Sequence, residues 1–452
     1  MSNTILVMSD QHNPFVSSVY DQHSLVRTPQ MERMAERGTL YRNAYCPSPL
    51  CMPSRSAFMA GKRVHELQAY SNCTLRVPGG HPAYGQMLAE QGVHTVYIGK
   101  TDVFAPGEEL GFSELFLPKD RKAPGDKHIG RRPLTIRHGA AKRAERVGVH
   151  AGAFDEDEEV MARALLWLAA TAPHISQQPW TLTINLTNPH PPFWNTSDVW
   201  ERAPGGDLPR IGADQPSAQH RYARELRNHF ETHLYTEEQV RNMRRAYYGK
   251  VDFVDRQLGR LIDELDRSGM ATSTNLIYVS DHGEMLGKFG LWWKSSLYED
   301  SVRIPCLAMG PDFEPGREVM TPVDLHDVQA SLFRAASGAA RPPDWIGTPL
   351  QDIPPDDPER VVFSEYHGHG CRSGAYMIRN RDWKLIYCME APHQLFHLAN
   401  DPEELHDVFT DFPHVAVKLE EQLRRICSPE LENEKAHAFQ TLQLDDLRNH
   451  YE

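Results

Sequence analysis

Four short apolar runs, each broken off by polar and chemically capable residues, constrain this chain more than any other feature. Ile5-Leu-Val-Met8 ends in Ser9-Asp10-Gln11-His12, and Thr95-Val-Tyr-Ile98 ends in Gly99-Lys100-Thr101-Asp102. Leu182-Thr-Ile-Asn-Leu186 runs into Thr187-Asn-Pro-His190-Pro-Pro, and Leu276-Ile-Tyr-Val279 into Ser280-Asp281-His282-Gly283. Runs of this length, rich in β-branched residues and closed by turn formers, read as buried strands of a largely parallel sheet. Helical patterns separate them. One spans Thr28 to Gly38, with Pro29 in its first turn and Gly38 as its stop. Another, from Tyr248 to Gly269, places Val251, Val254, Leu258, Leu261, Ile262 and Leu265 at three-and-four spacing. Alternating strands and helices predict an α/β fold, a large mostly parallel sheet sandwiched by helices. Ligands of such sheets bind beyond the carboxyl ends of the strands, so all four polar clusters are expected on one edge.

At 452 residues the chain exceeds what one hydrophobic core supports, so a second unit is expected. Pro354, Pro355 and Pro358 mark a linker. Four short runs follow, Arg360–Phe363, Ala375–Ile378, Trp383–Tyr387 and Gln394–Leu398, and then a helix from about Pro413 to Cys427. The reading is a catalytic domain over 1–353 and a smaller C-terminal α+β subdomain over 354–452, with an antiparallel sheet.

A net charge of −13 argues against a nucleic-acid partner. The apolar run near the N-terminus is four residues long with no basic stretch before it, and no segment reaches membrane length. A cytoplasmic location without membrane attachment is therefore expected. The seven cysteines are odd in number, irregularly spaced and without a Cys-x-x-Cys pair, which fits neither a disulfide framework nor a thiolate zinc site.

Asp10 with Gln11, and Asp281 with His282, offer two carboxylates, an amide oxygen and an imidazole from two strand ends. That set suits one hard divalent cation, Ca²⁺ first and Mn²⁺ as the alternative because of the nitrogen ligand. The plain reading of any single Asp after a strand is a cap or turn residue; two acidic pairs at two strand ends go beyond it.

Cys51-Met52-Pro53-Ser54-Arg55, continued by Ser56-Ala-Phe-Met-Ala-Gly61, is the sharpest motif. It resembles the Cys-x-Pro-Ser-Arg signature of type I sulfatases, with Ala60 where a Thr is common. The resemblance extends along the chain in order. Asp10-Gln11 looks like the first metal pair of that family, Gly99-Lys100 like its Gly-Lys motif, and His190 lies in a Pro-His-x-Pro-like context. Ser280–Gly287 with Gly290-Leu-Trp-Trp-Lys294 resembles its second metal pair and distal Lys, and Gln394–Glu403 its C-terminal motif. Among subgroups the chain looks most like choline-sulfatase-type enzymes, in which Tyr70-Ser-Asn72 matches a Tyr-x-Asn that contacts sulfate.

This resemblance implies an alkaline-phosphatase-like fold and a sulfuric ester hydrolase. It implies that Cys51 is oxidised to formylglycine by a formylglycine-generating enzyme and joins Asp10, Gln11, Asp281 and His282 around the metal. A metal-bound aldehyde hydrate supplies an oxyanion nucleophile near neutral pH. Arg55 would anchor the turn, Lys100 and Lys294 would hold non-bridging oxygens, and His190 would protonate the leaving oxygen. The partners implied are a small anionic ester, the modifying enzyme and a second copy of the chain in a homo-oligomer. Phosphodiester or phosphonate monoester hydrolysis is the alternative with the same site. An inactive binding protein on this fold is the remote one.

Two features depart from the pattern. Asp102 stands at the fourth position of Gly-Lys-x-His, where a carboxylate facing a bound dianion needs protonation, a paired cation or a cationic substrate; it is read with Asn72 as substrate-binding. Residues 119–146 hold ten Lys or Arg against three acids. The plain reading is a solvated, flexible insertion, and the sharper one a lid or oligomer arm that recognises anionic parts of a substrate.

Overall fold

The computed structural model describes residues 1–74, 77, 80–175 and 177–451. An eight-stranded sheet forms its centre, in the order Arg317–Val319, Gly38–Tyr41, Cys306–Met309, Thr274–Ser280, Asn3–Asp10, Trp180–Pro189, His94–Lys100, Glu114–Lys119. Cys306–Met309 is antiparallel to both neighbours, and the remaining pairings are parallel. The four strands expected from the apolar runs are thus adjacent and central. Their backbone pairing lets each run be apolar on both sides. Leu6 and Met8 enter one core, Ile5 and Val7 the other.

Helices cover both faces, as expected. Asp155–Ala170 and Glu237–Ser268 pack on the Ile5 side, and the helices Cys51–Ala60 and Leu325–Ser337 on the Leu6 side. The long helix begins at Glu237, not near Tyr248. Thr236 and Gln239 form a capping box there, and the first turns bear polar residues whose lack of apolar spacing hid them. Gly269 closes this helix in the left-handed region, as the sequence predicts. Gly38 does not act as a helix stop. The helix ends at Glu36, and Gly38 opens a strand in which an added Cβ would lie 2.1 Å from the Ala308 carbonyl oxygen.

Val362–Tyr366, Ala375–Arg379, Trp383–Cys388 and Gln394–His397 form the antiparallel C-terminal sheet. Its Phe363, Ile378 and Leu385 side packs under the helix Pro413–Ile426, and its Met377, Ile386 and Phe396 side joins the main core. A further helix, Pro429–Tyr451, lies beyond the last one expected from sequence. It returns to the main body, where Ala436 and Phe439 meet Ala57, Val64 and Tyr70 behind the Cys51 helix. Among the described residues no helix is long and apolar enough to cross a membrane.

Lys384, fully buried on the small sheet, bridges Glu299 (2.9 Å) and Glu404 (2.8 Å), and Tyr45 donates to the other oxygen of Glu299 (2.7 Å). Burying these charges is tolerable because they are mutually paired; removing one partner strands the others. Lys384→Met is expected to destabilise the protein by about 3–5 kcal/mol. Chemical denaturation would show it, and an unchanged midpoint would mean the cluster contributes nothing.

Candidate active site

Cys51 is the first residue of a ten-residue helix whose side chains are all buried. Leu50 enters it in an extended conformation and Gly61 ends it in the left-handed region. A helix with no polar face needs specific partners for its polar side chains, and Ser54 and Arg55 have them. Ser54 Oγ donates to the Asp281 carbonyl (2.6 Å). Arg55 Nε donates to Asp281 Oδ2 (2.7 Å) and its Nη1 to Asn185 Oδ1 (3.0 Å). The guanidinium also lies 3.9 Å from Asp10. The helix start is thereby fixed to the ends of three strands.

Asp10, Cys51, Asp281 and His282 each place a potential ligand atom within 4.8 Å of all the others, and all four are buried. His282 Nε2 lies 3.2 Å from Cys51 Sγ and 3.6 Å from both Asp10 Oδ1 and Asp281 Oδ1. Arg55 and Lys100 take the Oδ2 oxygens of Asp281 and Asp10, and the two Oδ1 oxygens are left aimed with His282 and Cys51 at one point, a donor set that fits a divalent metal ion. Gln11, at φ 71°, donates its backbone N–H to Asp281 Oδ1 (3.0 Å). Its amide is held between Glu284, which accepts from Nε2, and Lys294, which donates to Oε1.

Lys100 reaches the same centre and donates to Asp10 Oδ2. Gly99 makes this possible. At φ 92°, with an added Cβ only 2.3 Å from the Asn185 carbonyl oxygen, its position accepts glycine alone, and the register shift beside it turns Lys100 towards the strand ends. Burial would lower the Lys100 pKa, but Asp10, Cys51 and Asp102 outweigh it and raise it. Burial and Asp10 would raise the Cys51 thiol, yet Lys100, Lys294 and His282 pull it well below its ordinary value.

His190 sits on the loop after Trp180–Pro189, with Nδ1 2.6 Å from the Pro191 carbonyl oxygen and a hydrogen bond to Cys51. Burial and Lys294 hold its pKa below 6.5 despite Asp10 and Cys51. With Nδ1–H donated to that carbonyl, Nε2 is left as an acceptor. Asp157 braces the loop by accepting from Thr187 N–H (2.8 Å), Asn188 N–H (2.8 Å) and Asn188 Nδ2 (2.6 Å), while Lys250 donates to Asn188 Oδ1 (2.6 Å).

These groups open into a cavity of about 610 Å³, which Cys51, Asn72, Lys100, Asp102, His190 and Lys294 line. Asn72 Oδ1 accepts from Met52 N–H (3.0 Å), so its carbonyl braces the start of the Cys51 helix. Asp102 faces no open charge: Arg121 forks onto both its oxygens (2.6 and 2.7 Å), and Lys100 lies at 3.4 Å. Of the three ways to accommodate that carboxylate, a paired cation is the one present. The basic segment is likewise no free insertion. Lys119, Arg121, Arg137, Arg143 and Arg146 all line the cavity. Asp126 organises the segment by accepting from His128 N–H (2.9 Å) and Arg137 (3.1 Å), and ties it to the body through His369, whose Nδ1 lies 3.3 Å from its Oδ2.

The sequence reading left Asn185, Glu284, Asp157 and Lys250 without roles. An Asn, a poor strand former, among the aliphatic and Thr residues of a strand run was a visible signal for the first. Glu284 lies inside the quoted Ser280–Gly287 motif. Asp157 and Lys250 lie within helices, and nothing local distinguishes them from surface residues.

Residues 2–339 match the sulfatase family, and residues 287–428 match the family described as N-sulphoglucosamine sulphohydrolase, C-terminal. Choline-sulfatase of Rhizobium meliloti (strain 1021) is 29% identical over 439 residues, spanning 89% of this chain and 81% of that protein. The phosphonate monoester hydrolase of Agrobacterium radiobacter superposes with a TM-score of 0.73 at 19% identity, covering 94% of this chain and 95% of its own. BT4656 in complex with its substrate D-glucosamine-2-N,6-O-disulfate gives 0.72 at 19% identity, with 96% and 98% covered. The structural likenesses establish the fold, and the family match spans most of the chain. This protein belongs to the sulfatase family.

Proposed function

We propose that the protein hydrolyses sulfate monoesters with a nucleophile made from Cys51, which a formylglycine-generating enzyme oxidises to formylglycine. The observation that carries this reading is the convergence of Asp10, Cys51, Asp281 and His282 within 4.8 Å, with Lys100 bound to Asp10 and Lys294 bound to Gln11. Asp10, Asp281, His282 and the Gln11 amide oxygen would hold one divalent cation, Ca²⁺ by the hardness of the donors. When bound, that cation lowers the pKa of a hydroxyl at residue 51 and offsets its negative charge.

The chain's own residues then divide the work. Arg55 holds residue 51 against the strand ends. Lys100 and Lys294 bind the non-bridging oxygens of the ester. His190, neutral and with Nε2 as its accepting nitrogen beside residue 51, takes a proton from the attacking hydroxyl and returns it to the leaving oxygen. Asp102 orients Arg121 and Lys100 instead of touching the sulfate, and Asn72 lines the sulfate end of the cavity. Residues 1–353 are assigned as the catalytic domain and 354–452 as the subdomain. A cytoplasmic location accords with seven cysteines of which none is paired.

A second reading, hydrolysis of phosphonate monoesters or phosphodiesters, is supported by the fold shared with a phosphonate monoester hydrolase. The complete set of candidate ligands weighs against an inactive binding protein. Catalytic efficiencies on aryl sulfate and aryl phosphonate esters separate the two enzymatic readings. Higher efficiency on the sulfate is expected, and the reverse would replace the first reading with the second.

Mass spectrometry of the peptide containing Cys51 should show thiol-to-aldehyde conversion, and Cys51→Ala should lower turnover by at least roughly 10³-fold while the fold persists. Asp281→Ala should lose bound metal by elemental analysis together with activity; unchanged metal content would place the cation elsewhere. His190→Ala should slow alkyl sulfates by about 10²–10⁴-fold and 4-nitrophenyl sulfate much less, because a good leaving group needs little protonation. Equal losses on both would remove His190 as the proton donor to the leaving oxygen and leave it only the proton taken from the attacking hydroxyl.

A further inference from the structure

The cavity wall carries more positive charge than sulfate binding uses. Eight Lys and Arg residues line it against five carboxylates, in a chain whose net charge is −13. Each of those carboxylates is already committed. Arg121 takes Asp102, and Lys119 takes Glu156 (2.6 Å). Asp126 is held by Arg137 and His128, Asp157 by Thr187 and Asn188, and Asp120 by Thr101 and Gly107 N–H (2.9 Å).

Arg143 and Arg146 are left over. Among the described residues, neither has a carboxylate within ion-pair distance. The Arg143 guanidinium lies over Phe230 (5.8 Å) and Trp293 (5.7 Å), and that of Arg146 over Trp194 (5.4 Å). All three rings line the cavity, and Trp293 immediately precedes Lys294. A guanidinium stacked on aromatic faces keeps its N–H edge free to fork onto an oxyanion. Its position is built, not incidental. Ala140 and Ala144 of the short helix Ala140–Glu145, which carries Arg143 and ends at Arg146, are buried, Glu231 accepts from Gly139 N–H (2.9 Å), and Arg146 O accepts from Phe193 N–H (3.0 Å).

We propose that Arg143, flanked by Arg146, forms a second anion subsite, and that the substrate is a sulfate ester whose leaving alcohol carries a further oxyanion, a carboxylate or a second sulfate. The assignment rests on the sulfatase reading and names the substrate class within it. Burial lowers the Arg143 pKa to about 10, so it stays charged at neutral pH. A quaternary ammonium in this place would meet like charge, which sets the chain apart from an enzyme built for choline sulfate.

The test uses the metal-loaded enzyme and non-hydrolysable benzenesulfonates, so that binding is read without turnover. Calorimetry compares sulfonates bearing a carboxylate arm, or a second sulfonate, with the neutral carboxamide of the same shape. The wild-type protein should bind at least one dianion about tenfold tighter than its carboxamide. Arg143→Met should erase that ratio while carboxamide binding changes less than about threefold, and Arg143→Lys should restore part of it. Equal wild-type affinities, or equal weakening of both ligands by Arg143→Met, would overturn the subsite. The wild-type ratio decides the matter even if a variant does not fold. The carboxylate and sulfonate arms show which oxyanion is preferred. A dianion preference without turnover of any aryl sulfate would leave the subsite standing and remove the sulfatase reading instead.

Discussion

The buried guanidinium of Arg55 is the constraint on which the rest of the site depends. It is 2% exposed, and it holds Asp281, Asn185 and the neighbourhood of Asp10 together from the helix that begins at Cys51. A charge in such a place is stable only when every donor has a partner. The same bonds that satisfy Arg55 therefore set where residue 51 stands relative to three strand ends. Burial would lower its pKa, but Asp281 and Asp10 outweigh that and raise it, so Arg55 remains a fixed cation. Lysine, whose three donors radiate from a single nitrogen, could not span Asp281 and Asn185 as the Nε and Nη1 of the planar guanidinium do.

Around that anchor the electrostatics follow one rule: carboxylates are spent on structure or collected for a metal ion, and cations are left facing the cavity. Asp102 shows the first use. A carboxylate that would repel a bound sulfate is neutralised by Arg121 and lowered in pKa by Lys100 and Arg121 against the opposing effect of burial. Asp10 and Asp281 show the second. Reversing the sign of the local field in a chain of net charge −13 requires both.

The strand runs around Leu6, Val96, Ile184 and Ile277 were readable because a buried parallel strand writes its signature in consecutive residues. The start of the long helix was not, since its first turns face partly outward and carry no apolar period. The last helix, Pro429–Tyr451, was missed for a related reason: few of its residues are buried, among them Ala436 and Leu447, and its partners lie hundreds of positions earlier in the chain. Asp10, Cys51, Lys100, His190, Asp281 and Lys294 could be picked out because each sits where a motif or a strand terminus marks it. Asp157 and Lys250 could not, because a bracing residue on a helix looks like any solvated charge until its partner is known.

Sequence alone determined the class of fold, the gathering of four strand ends on one edge and the residue types they deliver, since all of these follow from local patterns of polarity and turn chemistry. Only the tertiary structure decided which charges are neutralised. Arg121 is 19 positions from Asp102, and Arg55 is 130 from Asn185. The folding of residues 119–146 against the cavity, instead of into solvent, settled that Arg121 is consumed while Arg143 is not. Pairing is a property of positions in space, and the polarity of a segment does not specify what it will lie against.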